Sequence, residues 1–268
     1  MAQGFKFQPD FMCLQELKLS RRALNSNLQR IGSKWTWFAT QHSTGKGGAT
    51  IAIDSKYKDF VTQVHVSQTN SWIAISVKAP FRFTLVSIYA SNSMFERAAS
   101  WSELLSLSQP CIFTGDFNMV ENIDDRWNRK GQSLGGKEKE SFTALVDKHH
   151  LVDISHQTGF TWTNNQQGTY YRAARLDRLY MNFDLLQEFW HVNCWKDSSL
   201  QLSDHSPIIF ELQKEVFNFK AGWFHIDQSL LKINCVKERV KEIFDGAFEE
   251  NTSAFKAWDL VVKNTQEP

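Results

Sequence analysis

The sequence predicts an α/β chain of the α+β kind: a four-layered sandwich of two packed, mostly antiparallel sheets flanked by helices. Two observations predict it. Short apolar runs rich in Val, Ile and aromatic residues recur from Phe11 to Phe210, at lengths that suit strands rather than helices. Stretches with helical apolar spacing fall between pairs of these runs, which lays the helices against sheets instead of in a bundle of their own.

The elements follow in order. Phe11–Leu14 is the first strand. Leu24, Leu28 and Ile31 recur at helical spacing, and Gly32 stops that helix. Gly45-Lys46-Gly47-Gly48 turns into a strand over Ala49–Ile53. In Trp72–Val77, Trp72, Ala74 and Ser76 alternate with Ile73, Ile75 and Val77, the period of two that a strand imposes. Lys78-Ala79-Pro80 is short enough to join it to Phe83–Tyr89 as an antiparallel hairpin. Ala98, Trp101, Leu104 and Leu105 make a helix face ahead of the buried-type strand Cys111–Thr114. After the Gly135-Gly136 break, Phe142, Leu145, Val146 and His149 make another, capped by His149-His150. Strands over Leu176–Met181 and Pro207–Leu212 complete the sandwich, assigned to residues 1–214. From about Phe217 the texture changes to Val236, Val240, Ile243 and Phe244 among Lys and Glu. Residues 215–268 therefore read as a helical, linker-like segment.

At 42% hydrophobic and 22% charged residues, the 268-residue chain can bury a core, which argues against disorder. A net charge of +1 gives no overall basic field, so any nucleic-acid partner would be met by a local rim. Cys13, Cys111, Cys194 and Cys235 stand far apart without a C-x-x-C pair, which disfavours a zinc site and fits a reducing compartment. There is no signal-peptide-like start and no run of membrane-spanning length. The expected location is intracellular, nuclear or cytoplasmic, with no membrane partner.

Five short motifs place chemistry at strand ends. Glu16 leaves the first strand, where a rigidly placed carboxylate can hold a hard cation with water on its open side. Tyr89 ends Leu85-Val86-Ser87-Ile88 and could donate to a phosphate oxygen. In Gly115-Asp116-Phe117-Asn118, Gly115 would permit a tight turn beyond the strand, and Asp116 and Asn118, two apart in an extended segment, would share a side. One can deprotonate a water and the other can hydrogen-bond a pentavalent phosphate. In Arg175-Leu176-Asp177-Arg178, alternation puts Leu176 and Arg178 on one face and Arg175 and Asp177 on the other. Asp177 could then fix the tautomer of an imidazole and favour its cation. In Ser203-Asp204-His205-Ser206-Pro207, His205 is that imidazole, and Asp204 could help to hold a metal or handle the leaving oxygen. Each residue alone also has an ordinary structural explanation; the set converges on phosphodiester cleavage with a hard divalent cation.

The order and wording of these motifs resemble the endonuclease/exonuclease/phosphatase superfamily, with its deoxyribonuclease-I-like fold. Within it, the texture around Gly115-Asp116-Phe117-Asn118-Met119-Val120 and His149-His150-Leu151-Val152-Asp153 resembles the endonuclease domain of plant-type non-LTR (LINE) retrotransposon polyproteins. The resemblance covers about Phe11 to Leu212. It implies Mg²⁺ (or Mn²⁺) held by Glu16 and Asp204, with Asp116, Asn118, His205, Asp177 and Tyr89 as the catalytic set. It further implies DNA as partner, a nick leaving a 3′-hydroxyl, and a reverse transcriptase domain in the parent polyprotein but not in this chain. Two loops are candidates for touching DNA, through Arg126, Trp127 and Arg129 and through Tyr171 and Arg172. The family's first strand, ending in Asn about thirty residues before the metal-binding Glu, has no counterpart in residues 1–10. That implies N-terminal truncation, with weakened or lost activity. The alternatives are a catalytically dead nucleic-acid-binding remnant and a phosphomonoesterase of the same superfamily.

Overall fold

The computed structural model of the chain describes residues 8–17, 34–40, 48–79, 81–108, 110–127, 136–189, 191–199, 203–213 and Lys241. The chain divides after Glu215. The segment 215–268 and the helix expected over Leu24–Ile31 lie outside the described residues, Lys241 excepted, as do Arg129 and Cys235.

The centre is a six-stranded sheet in the order β4-β5-β6-β7-β11-β8. Its strands are β4 (Val61–Val66), β5 (Trp72–Val77), β6 (Phe83–Tyr89), β7 (Cys111–Asp116), β8 (Leu151–Asp153) and β11 (Asp177–Asn182). Neighbours are antiparallel except β6 and β7, which run parallel. A parallel pair needs a crossover, and helix α1 (Met94–Leu104) lies within it. The β5–β6 hairpin forms as expected, with Val77 opposite Phe83.

The alternation in β5 divides its side chains between two cores. Trp72 and Ala74 join Trp101 and Leu104 of α1, and Phe142 and Leu145 of α2 (Gly136–His149), on one face. Ile73, Ile75 and Val77 join Ala49, Ile51 and Ile53 on the other. Both faces are thus covered, and β5, β6, β7 and β11 are buried almost throughout. His149 ends α2 as expected, but as a buried residue bonded through Nε2 to the Leu104 carbonyl at 3.1 Å.

The second layer is in pieces. β1 (Phe11–Gln15), β3 (Ala49–Asp54) and β2 (Trp35–Ala39) form one sheet with β3 in the middle. β12 (His191–Lys196) and β13 (Ile208–Gln213) form a separate antiparallel pair. Phe11 and Cys13 of β1, and Ile208, Phe210 and Leu212 of β13, pack on the same core. A short ribbon of β9 (Trp162–Thr163) and β10 (Ala173–Ala174) stands beside them. A last helix, α3, covers Phe183–Gln187. Among the described residues, no helix is long and apolar enough to cross a membrane.

Candidate active site

The register of the central sheet assembles the site. Tyr89, at the end of β6, lies opposite Asp116, at the end of the parallel β7. Asp177, at the start of β11, lies opposite Asp116 from the other side. Three chemically active residues thus form one row across the C-terminal end of β7.

Gly115 makes this row possible in a way the sequence reading did not expect. It is not in a turn beyond the strand but inside β7, with φ of 132°. A Cβ there would lie 2.2 Å from the Ile88 carbonyl oxygen and 2.9 Å from Gln15 Nε2. Glycine is required because neighbouring backbone approaches too closely for any side chain.

The His205 Nδ1 lies 2.8 Å from Asp177 Oδ2. Asp116, Asp177 and His205 offer ligand-type atoms that all lie within 4.8 Å of one another. Burial alone would lower the His205 pKa, but the hydrogen bond and charge of Asp177, with Asp116 and Asp204 adding, raise it to about 9. The Asp116 pKa is raised as well. Burial, then the Asp177 charge, push it from 3.8 to about 7.

Asn118 does meet Asp116, though not along an extended strand. Its φ is 46°, a left-handed turn that brings its side chain back. Asn118 Nδ2 donates to Asp116 Oδ2 at 3.1 Å and to the Ala90 carbonyl at 2.8 Å, and its backbone N–H donates to Asp116 Oδ1 at 2.9 Å. In this arrangement Asn118 orients the carboxylate. The Tyr89 hydroxyl donates to Glu16. Burial, then this bond, raise the phenol pKa. Glu16 is exposed just beyond β1, with φ of 53° and its N–H on the Gly48 carbonyl at 3.0 Å.

Asp204 is fixed by a residue that sequence reasoning missed. Trp162 Nε1 donates to Asp204 Oδ2 at 2.9 Å, and Ser203 Oγ to Oδ1 at 3.0 Å. Thr161 was missed too: its Oγ1 accepts from the backbone N–H of Leu176 and of Asp177, which fixes the start of β11. Neither had a local signal, because the partners are far along the chain.

Arg175 and Arg178 differ from the strand-face expectation. β11 begins only at Asp177, so alternation does not extend back to Arg175. Both arginines converge on the buried Asp125, at 2.8 Å and 2.7 Å. Arg175 also reaches Asp153 at 2.6 Å. Asp125, read as part of a nucleic-acid loop, therefore faces inward and ties that loop to the catalytic strand. The next residues behave otherwise. Arg126 is half-buried in a bridge to Ala174, and Trp127 is 58% exposed. Trp127 lies edge-to-face against Tyr171, and Arg172 Nη1 bonds the carbonyls of Thr169 and Tyr171.

A row of carboxylates with one paired imidazole at a sheet end is what metal-assisted phosphoester hydrolysis requires. The sequence profile of the Endonuclease/Exonuclease/phosphatase family matches residues 4–205. The chain belongs to this family. Its members are hydrolases acting on phosphoester bonds and generally use divalent metals. Solved structures of the same fold include a 3′-5′ exonuclease from Neisseria meningitidis, at 19% identity and TM-score 0.58, covering 76% of this chain and 90% of that one. An AP endonuclease from Archaeoglobus fulgidus is 16% identical at TM-score 0.59, with 76% and 89% covered. The endonuclease domain of TRAS1, a telomere-specific non-LTR retrotransposon, is 16% identical at TM-score 0.51, with 71% and 90% covered. No curated protein sequence matches the chain.

Proposed function

We propose that this family member is a Mg²⁺- or Mn²⁺-dependent endonuclease that nicks DNA by hydrolysis, and that it derives from a non-LTR retrotransposon polyprotein. The observation that carries the reading is the Asp177–His205 pair, 2.8 Å long and set beside Asp116. It supplies a fixed cation next to a carboxyl poised near neutrality, and these suit a phosphate and an attacking water.

The donor set fits a hard cation. Asp116 and Asp177 face each other with only one imidazolium to offset them, and neither brings a soft thiol. Glu16 would hold the ion from one end of the row, and Asp204, at the other, would help to hold it only through water. When bound, the metal neutralises charge on the phosphate and its leaving oxygen.

The chain's own residues divide the remaining work. Asn118 aims Asp116, which takes a proton from water as the water oxygen bonds to phosphorus. A pKa of about 7 suits that base at neutral pH. His205, kept protonated by Asp177, donates to a non-bridging phosphoryl oxygen. The bond from phosphorus to the 3′-oxygen breaks, leaving a 3′-hydroxyl and a 5′-phosphate. Tyr89 holds Glu16 in place at the edge of the same row.

Retroelement origin is supported by the residue texture and by the shared fold with the TRAS1 domain. In this reading 215–268 leads toward a reverse transcriptase in the parent polyprotein. The test is nicking of supercoiled plasmid in Mg²⁺, with EDTA and Asp116→Asn as controls and phosphate release from inositol phosphates in parallel. Nicking that EDTA and Asp116→Asn both abolish is expected. Phosphate release without nicking would make the chain a phosphomonoesterase, and neither activity a binding remnant.

A further inference from the structure

Beside the catalytic row stands an aromatic cluster that phosphodiester hydrolysis does not use. Trp127 contacts Tyr171 with ring centroids 5.2 Å apart and planes at 88°, and Phe160 at 6.2 Å and 76°. Trp127 nevertheless keeps 58% of its surface exposed, and the adjacent Tyr170 keeps 72%. An indole in contact with two rings yet more than half exposed is a platform, not a core residue.

The platform is stiff. Trp127 N–H donates to the Ala173 carbonyl at 3.0 Å. Asn164 braces the other loop, accepting from Arg172 N–H at 2.9 Å and donating to the Tyr170 carbonyl at 2.8 Å. Beneath it, Asp125 joins the loop to Arg175 and Arg178.

It is also connected to the site. Arg126 pairs with Ala174, Ala174 with Trp162, and Trp162 with His205. Three spacings of about 4.8 Å put the Arg126 backbone at most roughly 14 Å from that of His205. At the stacked rise of about 3.4 Å per nucleotide, that is roughly four nucleotides along a strand, fewer where the strand is extended.

We infer that the Trp127–Tyr171 platform stacks an unpaired nucleobase a few nucleotides from the cleaved phosphate. This rests on the proposed reading of the site as a nucleic-acid hydrolase. A base inside a duplex is covered on both faces, so the ring can reach only one that is single-stranded or splayed out. Arg126 and Arg172, next in sequence to Trp127 and Tyr171, suit the phosphates of such a strand. The substrate class is then DNA with a frayed, gapped or flipped-out nucleotide on that side. Sequence preference there should be weak, since every base presents a π-face.

The test is fluorescence anisotropy in EDTA, which stops turnover. Three probes are used: an oligothymidylate, the same backbone carrying only base-free tetrahydrofuran sugars, and a duplex of equal length. The parent protein should bind the base-bearing strand about tenfold more tightly than the base-free one. Trp127→Ala should erase that ratio and leave the base-free and duplex affinities unchanged; Trp127→Phe should keep most of it. Equal binding of the two single strands by the parent, or a Trp127→Ala loss shared by all three probes, would overturn the inference. The two readings fail separately. A base preference that depends on Trp127 in a protein that never nicks plasmid would overturn the hydrolase and leave the platform. Normal nicking without a base preference would do the reverse.

Discussion

The two β layers differ sharply. The central sheet is continuous, and its inner strands β5, β6, β7 and β11 are buried nearly end to end. The layer facing it is divided, and only β3 is buried. β1, β2 and β13 are half-buried along their length, and β1 and β13 each pair on one side only among the described residues. The site draws on both. Asp116, Asp177 and Tyr89 belong to the rigid sheet, while Glu16 follows β1 and Asp204 and His205 precede β13. The proposed base, Asp116, and the partner that fixes His205, Asp177, are therefore held by the well-packed half. Both carboxylates proposed to hold the metal depend on the loose half.

This contrast can be broken most directly at the base. Asp116→Asn should lower the nicking rate about 10²–10⁴-fold, the usual worth of a positioned base. The fold should persist, because the substitution removes a buried, repelled charge. A variant cutting at the parent rate would remove Asp116 from that role.

Packing should separate the layers next. Phe113, fully buried in β7, faces the helices, and Phe210 in β13 is only partly covered. Phe113→Ala should cost about 3–5 kcal/mol in urea unfolding, and Phe210→Ala roughly half that or less. Amide exchange should follow the same division, slow in β5–β7 and fast in β1 and β13. Equal costs and equal protection would mean that the second layer is as firm as the first.

Much of this was legible in the sequence because the decisive residues sit at the ends of their own apolar runs. β5 and β6 were placed to the residue, and the Gly115–Asn118 and Ser203–Pro207 motifs mark strand ends that the register brings together. β4 and β12, which were not anticipated, lack that local signature. β4 exposes nearly all its side chains at a sheet edge, and β12 interleaves His191, Asn193 and Lys196 with its apolar positions. The buried ion network was misread for a different reason. Alternation put Arg178 on a face with Leu176 and gave no sign of Asp125; an isolated charge is costly to bury, and these two are buried because each neutralises the other. The Trp162–Asp204 bond spans 42 residues, and no local pattern encodes it.

That bond offers a milder probe of the loose half. Trp162→Phe keeps the ring and loses the N–H that holds Asp204. The Mg²⁺ concentration for half-maximal nicking should rise about tenfold, with a smaller change in the rate at saturation. An unchanged metal requirement would mean that Asp204 does not hold the ion.

The smallest effect expected is a pH dependence of stability in EDTA, and its sign follows from two shifted groups. Asp116 goes from 3.8 to about 7 on folding. Between those values the folded chain keeps a proton that the unfolded chain has lost. Stability therefore falls as pH rises through that window and levels above about 7. His205 goes from 6.5 to about 9. Its contribution is complete below 6.5 and is lost as pH rises through about 9. Both groups make the metal-free protein less stable toward alkaline pH. Asp116→Asn removes the first decline and shrinks the second, because the Asp116 charge helps to raise His205. Its Tm should exceed the parent's by an amount that grows between about pH 4 and about pH 7, by about 2–4 °C for each kcal/mol released. The alkaline fall due to His205 should remain in the variant. A Tm difference that stays constant with pH would mean that Asp116 titrates normally, and the crowding of charge at the rigid end of β7 would then be relieved in solution.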